Sequence, residues 1–298
     1  MSILLVIATL LTAALYLPAW LSALKGARAE SGEPYASPAS EPSGPGGSVH
    51  RAAGGLDMPS LLLAGGALAH AFALYLAIGQ GPGFRFGFAQ ALSATFWIGV
   101  ALLWLEGLSV RVQALRLLVL PVAAISAMLP LVFPGSDFAL ESVRPLFLPH
   151  LLVGTLAYGV LMLAALHATL MTAAERALHS GDGGGHSLFG RWIEQLPPLL
   201  ALERMLFRFI LIGFVLLTLT VLSGVLFSEA TFGRPMRLDH KTVFAVTAWV
   251  LFGVLLAGRR LRGWRGRTAL RLTLAGFTVL LFAYVGSRFV IEVVLQRA

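Results

Sequence analysis

Residues 237–267 read RLDHKTVFAVTAWVLFGVLLAGRRLRGWRGR. A charged start, with Arg237, Asp239 and Lys241, gives way to the uncharged run Thr242–Gly258, which ends on Arg259, Arg260 and Arg262. Crossing the hydrocarbon core of a bilayer takes about 20 predominantly apolar residues, so this stretch reads as a membrane-spanning helix with a basic anchor at one end. The chain as a whole agrees. It is 57% hydrophobic and only 12% charged, with a mean hydropathy of +0.83, whereas a soluble domain is about 25% charged. A soluble globular class is excluded. The 298 residues contain no cysteine, which removes disulfides and thiolate metal sites. A net charge of +8 is assigned to membrane-flanking loops, not to nucleic-acid binding.

Seven further spans follow from the same criterion. They are Ile3–Ala23, Pro59–Gln80, Phe88–Leu108, Ala114–Phe133, about Leu146–Met171, Met205–Phe227 and Thr268–Val294, with Lys241–Gly258 as the seventh in chain order. The expected fold is therefore all-α, a polytopic membrane bundle of eight transmembrane helices. Ile3–Ala23 lacks a basic leading segment and a small-residue cleavage site, and is read as a retained helix. Residues 24–57 include SGEPYASPASEPSGPGGS, a Pro-, Gly- and Ser-rich stretch that reads as a flexible cytoplasmic linker. The organisation expected is a first helix at 1–23, the linker at 24–57 and a seven-helix membrane domain at 58–298. Residues 176–200 form a second long loop with the tip SGDGGGHS. His50, His179 and His186 fall in these loops and are read as solvated.

Charge sets the orientation. Of the 22 Lys and Arg residues, 15 flank the odd-numbered loops and 7 the even-numbered ones. Positive residues stay inside, so the odd loops are expected in the cytoplasm, and the even loops and both termini outside, in the periplasm of a bacterial inner membrane.

Titratable side chains inside spans are costly and therefore functional candidates. His70 lies within span two, His150 opens span five on the outer side, and His167 lies 17 residues further along that helix, about 25 Å deeper at 1.5 Å per residue. His240 and Arg288 return to the outer surface. The bland alternatives are a lone histidine bonding a neighbouring hydroxyl or carbonyl and an arginine snorkelling from a helix end. Against these stands a sharper reading. Imidazole ligates haem iron, and the fork of Arg288 matches a carboxylate such as a propionate. His150 with His240, or His70 with His150, would hold the iron from separate helices. The spacing offers no compact zinc or copper cage. A transport role rests only on Glu106, Glu203 and the prolines Pro121 and Pro130, without paired broken helices. No HExxH or GxSxG motif supports an enzyme.

The stretch from Asp239 to Gly286 resembles the C-terminal part of the cytochrome c assembly family of haem-handling membrane proteins, and most closely its shorter YpjD-like inner-membrane branch. Asp239, Lys241, Trp249, Gly263, Trp264, Arg265, Gly266, Gly276, Phe277, Tyr284 and Gly286 occupy matching positions. PHLLVGTLAYGVL, from Pro149, is similar to the family's histidine followed eight residues on by tyrosine. The resemblance covers roughly residues 59–290. It implies a carrier or chaperone of haem (haem b) with no substrate turnover, His150 on a ligand position and Tyr158 as its companion. It also implies apocytochrome c or other maturation subunits as partners. Two departures stand out: SEATFGRPMRLD (228–239) has no tryptophan, and SRFVIEVVLQRA (287–298) has no histidine. His240 replaces the proline of the family motif and is expected to face His150 across the outer mouth.

Overall fold

A computed structural model describes residues 2–29, 57–79, 83–107, 113–139, 146–179, 199–226, 228 and 239–295. Most of the linker, with His50, and most of the second loop, with His186, lie outside these residues; position 179, expected in that loop, is instead the last of the helix Phe147–His179. Among the described residues, eight helical segments are long and apolar enough to cross a membrane, the last running through Gly266–Val294. They are α1 (Ile3–Ala29), α2 (Met58–Ile78), α3 (Phe88–Gly107), α4 (Gln113–Val132), α5 (Phe147–His179), α6 (Leu199–Leu226), α7 (His240–Arg262) and α8 (Gly266–Leu281). Two π-helical turns, Phe282–Gly286 and Val290–Val294, carry α8 onward on either side of Ser287–Phe289. The expected spans are all present. The physical helices overrun several of them because the backbone keeps its ladder beyond the apolar run. α5, at 33 residues, is about 50 Å long.

Local chemistry sets the ends. The Asp57 carboxylate accepts from the Ser60 N–H at 3.0 Å and caps α2. Asp239 does the same for α7 through Thr242, also at 3.0 Å. Gly263 ends α7 in the left-handed region, φ 66°, where a side chain would be strained. Within the helices, hydroxyls bond the carbonyl one turn back, as with Thr95 to Ala91 and Thr220 to Leu216. In hydrocarbon this is the cheapest way to satisfy a hydroxyl.

Among the described residues the packing forms two large cores and two small clusters, the latter around Leu5 and Ala73 and around Phe84 and Phe86. One large core gathers α5 to α8 around Leu161, Leu206, Ile210, Phe252 and Leu255. The other large core gathers α1 to α4 around Tyr16, Leu63, Leu103, Leu115 and Leu120. α3 and α5 pack together and join them. A small element was not expected from hydropathy. β1 (Gly83–Phe86), before α3, pairs antiparallel with β2 (Ser136–Ala139), before α5. It ties two even-numbered loops together across one face of the bundle.

Polar groups inside the bundle are paired. His167, for which the bland alternative was a histidine bonding a neighbouring hydroxyl or carbonyl, is fully buried, and the Glu106 side chain is 7% exposed. They pair at 3.1 Å between Nε2 and Oε1, while Nδ1–H of His167 donates to the Leu163 carbonyl. Glu203 likewise is bound to Arg259, at 2.9 Å. His70 joins three helices: its Nδ1 lies 3.1 Å from the Tyr16 hydroxyl on α1, and its Nε2 lies 2.9 Å from Ser93 Oγ on α3. The Tyr16 ring fits because residue 66 is glycine; a Cβ there would sit 2.5 Å from the ring. Gly66→Val is expected to lower stability by about 1–3 kcal/mol through overpacking, and Tyr16→Phe by less, about 0.6–2 kcal/mol. Thermal unfolding in detergent measures both.

Candidate functional site

His150 lies in the first turn of α5, close under the two-stranded ribbon, and its ring faces α6. Its Nδ1 is 2.8 Å from Ser223 Oγ. The one proton of that hydroxyl points to the Thr220 carbonyl at 3.0 Å, and a carbonyl can only accept. With that proton on the Thr220 carbonyl, Nδ1–H of His150 donates to Ser223 and the lone pair lies on Nε2. A ring nitrogen whose partner donates to a fixed acceptor is in the state that binds a metal.

The imidazole forms part of the wall of a cavity of about 390 Å³, within the range of small-molecule sites. α3, α5, α6, α7, α8 and both ribbon strands contribute to that wall. Most of the lining is apolar or aromatic, including Phe86, Phe138, Phe147, Leu151, Val221 and Val246. Its small residues leave the space open. A Cβ on Gly224 would lie 3.5 Å from His150 Cε1, and one on Gly154 would lie 3.3 Å from Thr220 Cγ2.

The polar edge comes from α7 and α8. Arg288 lies between the two π-helical turns, with Nη1 3.6 Å from Glu292 Oε1 and 3.5 Å from Ser136 Oγ. Its Nε is buried without a hydrogen-bond partner among the described residues, as is Glu292 Oε1. The other oxygen of Glu292 accepts from the Phe88 N–H at 3.4 Å, so the carboxylate also sits at the positive N-terminus of α3. Residue 87 must be glycine for this approach, since a Cβ would come within 2.7 Å of Glu292 Oε2. Asp239 and Lys241 complete the edge. Burial pushes the Asp239 carboxyl up. The Thr242 N–H and hydroxyl bonds, with Lys241 and His240 beside it, outweigh this and hold it below the usual carboxylate range.

The expected residues are thus divided. His150, Tyr158 and Arg288 share one cavity, and the Tyr158 hydroxyl donates to the Leu280 carbonyl at 2.6 Å. His70 is not on that wall, and both its ring nitrogens are engaged elsewhere. His240 is exposed in the first turn of α7 and is not on the wall either. Sequence reading missed Ser223 and Thr220, whose roles need a contact 73 residues from His150. It also missed Glu292, which an acid inside an apolar span could have flagged.

The fold defines a polytopic membrane protein of eight helices, with a mostly apolar cavity beside the ribbon that His150 and Arg288 help to line. The chain belongs to the cytochrome c assembly protein family, which residues 60–295 match. Inner membrane protein YpjD of Escherichia coli K12 is 31% identical over 172 residues, 58% of this chain and 62% of that protein. Cytochrome c biogenesis protein CcsA of Prochlorococcus marinus is 36% identical over 88 residues, 30% of this chain and 28% of that protein. The chain thus spans less than two thirds of the length of these relatives. No solved structure matches.

The Asp239 cap yields a pH test. A carboxyl whose folded pKa is depressed stabilises the fold above its unfolded pKa of about 3.9, and that stabilisation is lost as pH falls through the folded value. Asp239→Ala is expected to cost about 1 kcal/mol at neutral pH. The gap to the unsubstituted protein should close in acid, as followed by thermal unfolding across pH 3–7.

Proposed function

We propose that this protein is a component of cytochrome c biogenesis that holds haem noncovalently in the cavity under the ribbon. His150 bonds the iron through Nε2, and Arg288 pairs with a propionate. The observation that carries this reading is the place of His150, held by Ser223, on the wall of a mostly apolar cavity. Family membership and the name of the Prochlorococcus relatives support it.

The residues present fit the group. Gly224 lies beside the imidazole, where a Cβ would meet Cε1 of His150 at 3.5 Å. The buried Nε of Arg288 has no acceptor among the described residues, and a carboxylate would satisfy it with a charge-assisted bond. Lys241 adds positive charge at the same edge. Tyr158 acts as wall, because its hydroxyl is committed to Leu280. With no cysteine in the chain, a thioether attachment to this protein is ruled out, in keeping with haem b. When bound, haem supplies the redox chemistry. The protein's own work is to ligate, orient and keep water out.

The ribbon face is read as the outer, periplasmic face of the inner membrane, because the even loops carry the smaller share of basic residues. Apocytochrome c or another maturation subunit would then meet the site from that side. Protein purified from haem-replete cells, or mixed with haem, should show a Soret band. His150→Ala should remove it. Ser223→Ala should lower haem affinity by about 10- to 100-fold, as loss of a ligand-orienting partner does. No Soret band in the unsubstituted protein, before or after adding haem, would contradict the proposal.

A further inference from the structure

The two-stranded ribbon has one aromatic face and one charged face. Side chains alternate along a strand, and residues directly opposite each other share a face. Phe84 stands opposite Phe138, and Phe86 opposite Ser136, on one side; Arg85 stands opposite Asp137 on the other. Arg85 and Asp137 form an exposed ion pair. On the inner face, Phe84 and Phe138 stack with centroids 5.1 Å apart and an 18° tilt. Phe138 also meets Phe147 at 6.1 Å, and Phe86 meets Tyr284 at 6.1 Å.

Such a ribbon is marginal alone in water, so it persists by covering its aromatic face. Phe84 and Phe86 are buried, whereas Phe138, Phe147 and Tyr284 are only half-buried. Those three, with Phe86, are part of the cavity wall. The same face governs Arg288. Its guanidinium carbon lies 5.9 Å from the Phe138 centroid and 6.0 Å from that of Tyr284, and Nη1 reaches Ser136. The aromatic surface and the carboxylate-binding fork are thus parts of one unit.

We infer that this ribbon is the stacking platform for a flat, apolar macrocycle with a carboxylate edge. Phe138 makes the ring contact, and Ser136 and Phe138 together aim Arg288 at the edge. The inference rests on the haem reading and adds to it a recognition surface that is independent of the iron. Offset aromatic stacking supplies affinity for the ring whatever its centre holds. His150 supplies affinity only when a metal is there.

The full-length protein in lipid nanodiscs is titrated with haem and, separately, with metal-free protoporphyrin. Phe138→Ala is expected to weaken both by a similar factor, on the order of tenfold, the upper end for one aromatic pair. His150→Ala should weaken haem alone. Phe138→Leu, which keeps apolar bulk but removes the ring, serves if the alanine variant unfolds, and should act in the same direction. Unchanged affinity for both compounds in the Phe138 variants would overturn the platform while leaving the His150 proposal standing. Loss confined to haem would overturn it equally. Failure of the unsubstituted protein to bind haem at all would remove the reading on which the platform rests.

Discussion

A polar group inside a bilayer has no water to turn to, and the architecture follows from that constraint. Threonine and serine hydroxyls fold back onto their own helices. Indole N–H groups reach across to carbonyls of other helices, Trp20 to Leu117 and Trp97 to Ala67. His70 and His167 each have both ring nitrogens engaged. These bonds set which helices meet. The exceptions are therefore informative. Among the described residues, five buried side-chain atoms have no hydrogen-bond partner: Gln90 Oε1, Glu106 Oε2, Arg116 Nε, Arg288 Nε and Glu292 Oε1. Three of these belong to Gln90, Arg288 and Glu292, residues close under the ribbon or on the cavity edge. Of these five residues, Arg288 is on the cavity wall, where a polar ligand group can meet its unused donor.

The site works by division of labour among elements that are rigid for other reasons. α6 orients His150 through the Ser223 hydroxyl, which also meets the Thr220 carbonyl of its own helix. The end of α8 departs from α-helical geometry around Arg288, and π-helical turns of this kind recur at functional sites. Glu292 ties that segment to the start of α3, with Gly87 leaving the gap it needs. The ribbon closes the unit from above. On the opposite side of the bundle the chemistry is static: Glu203 with Arg259, and Glu175 with Arg267, are ion pairs between secondary-structure elements.

The helices were legible because the span criterion depends on composition alone, and 18 to 20 apolar residues leave few alternatives. His150 and Arg288 were legible as ionisable residues at the ends of spans. Their partners were not. Hydropathy says where a histidine lies along the membrane normal and nothing about which way its ring turns. That is why His240, adjacent in depth, and His70, adjacent in type, were plausible companions, and why the turn of His70 toward Tyr16 and Ser93 could not be read. Tyr16 claims His70 only because Gly66 lets the ring approach, a three-helix contact without a sequence signature. The ribbon strands, GFRF and SDFA, are four residues each, too short for periodicity to declare them.

The central claim is that one imidazole, that of His150, meets the iron while Arg288 and the ribbon hold the periphery of the ring. A cryo-electron microscopy map of the haem-loaded protein in nanodiscs tests it most directly. The account predicts iron on Nε2 of His150, with a propionate at Arg288 and the macrocycle against Phe138. Iron seated on His70 or His240, or a macrocycle outside this cavity, would contradict it.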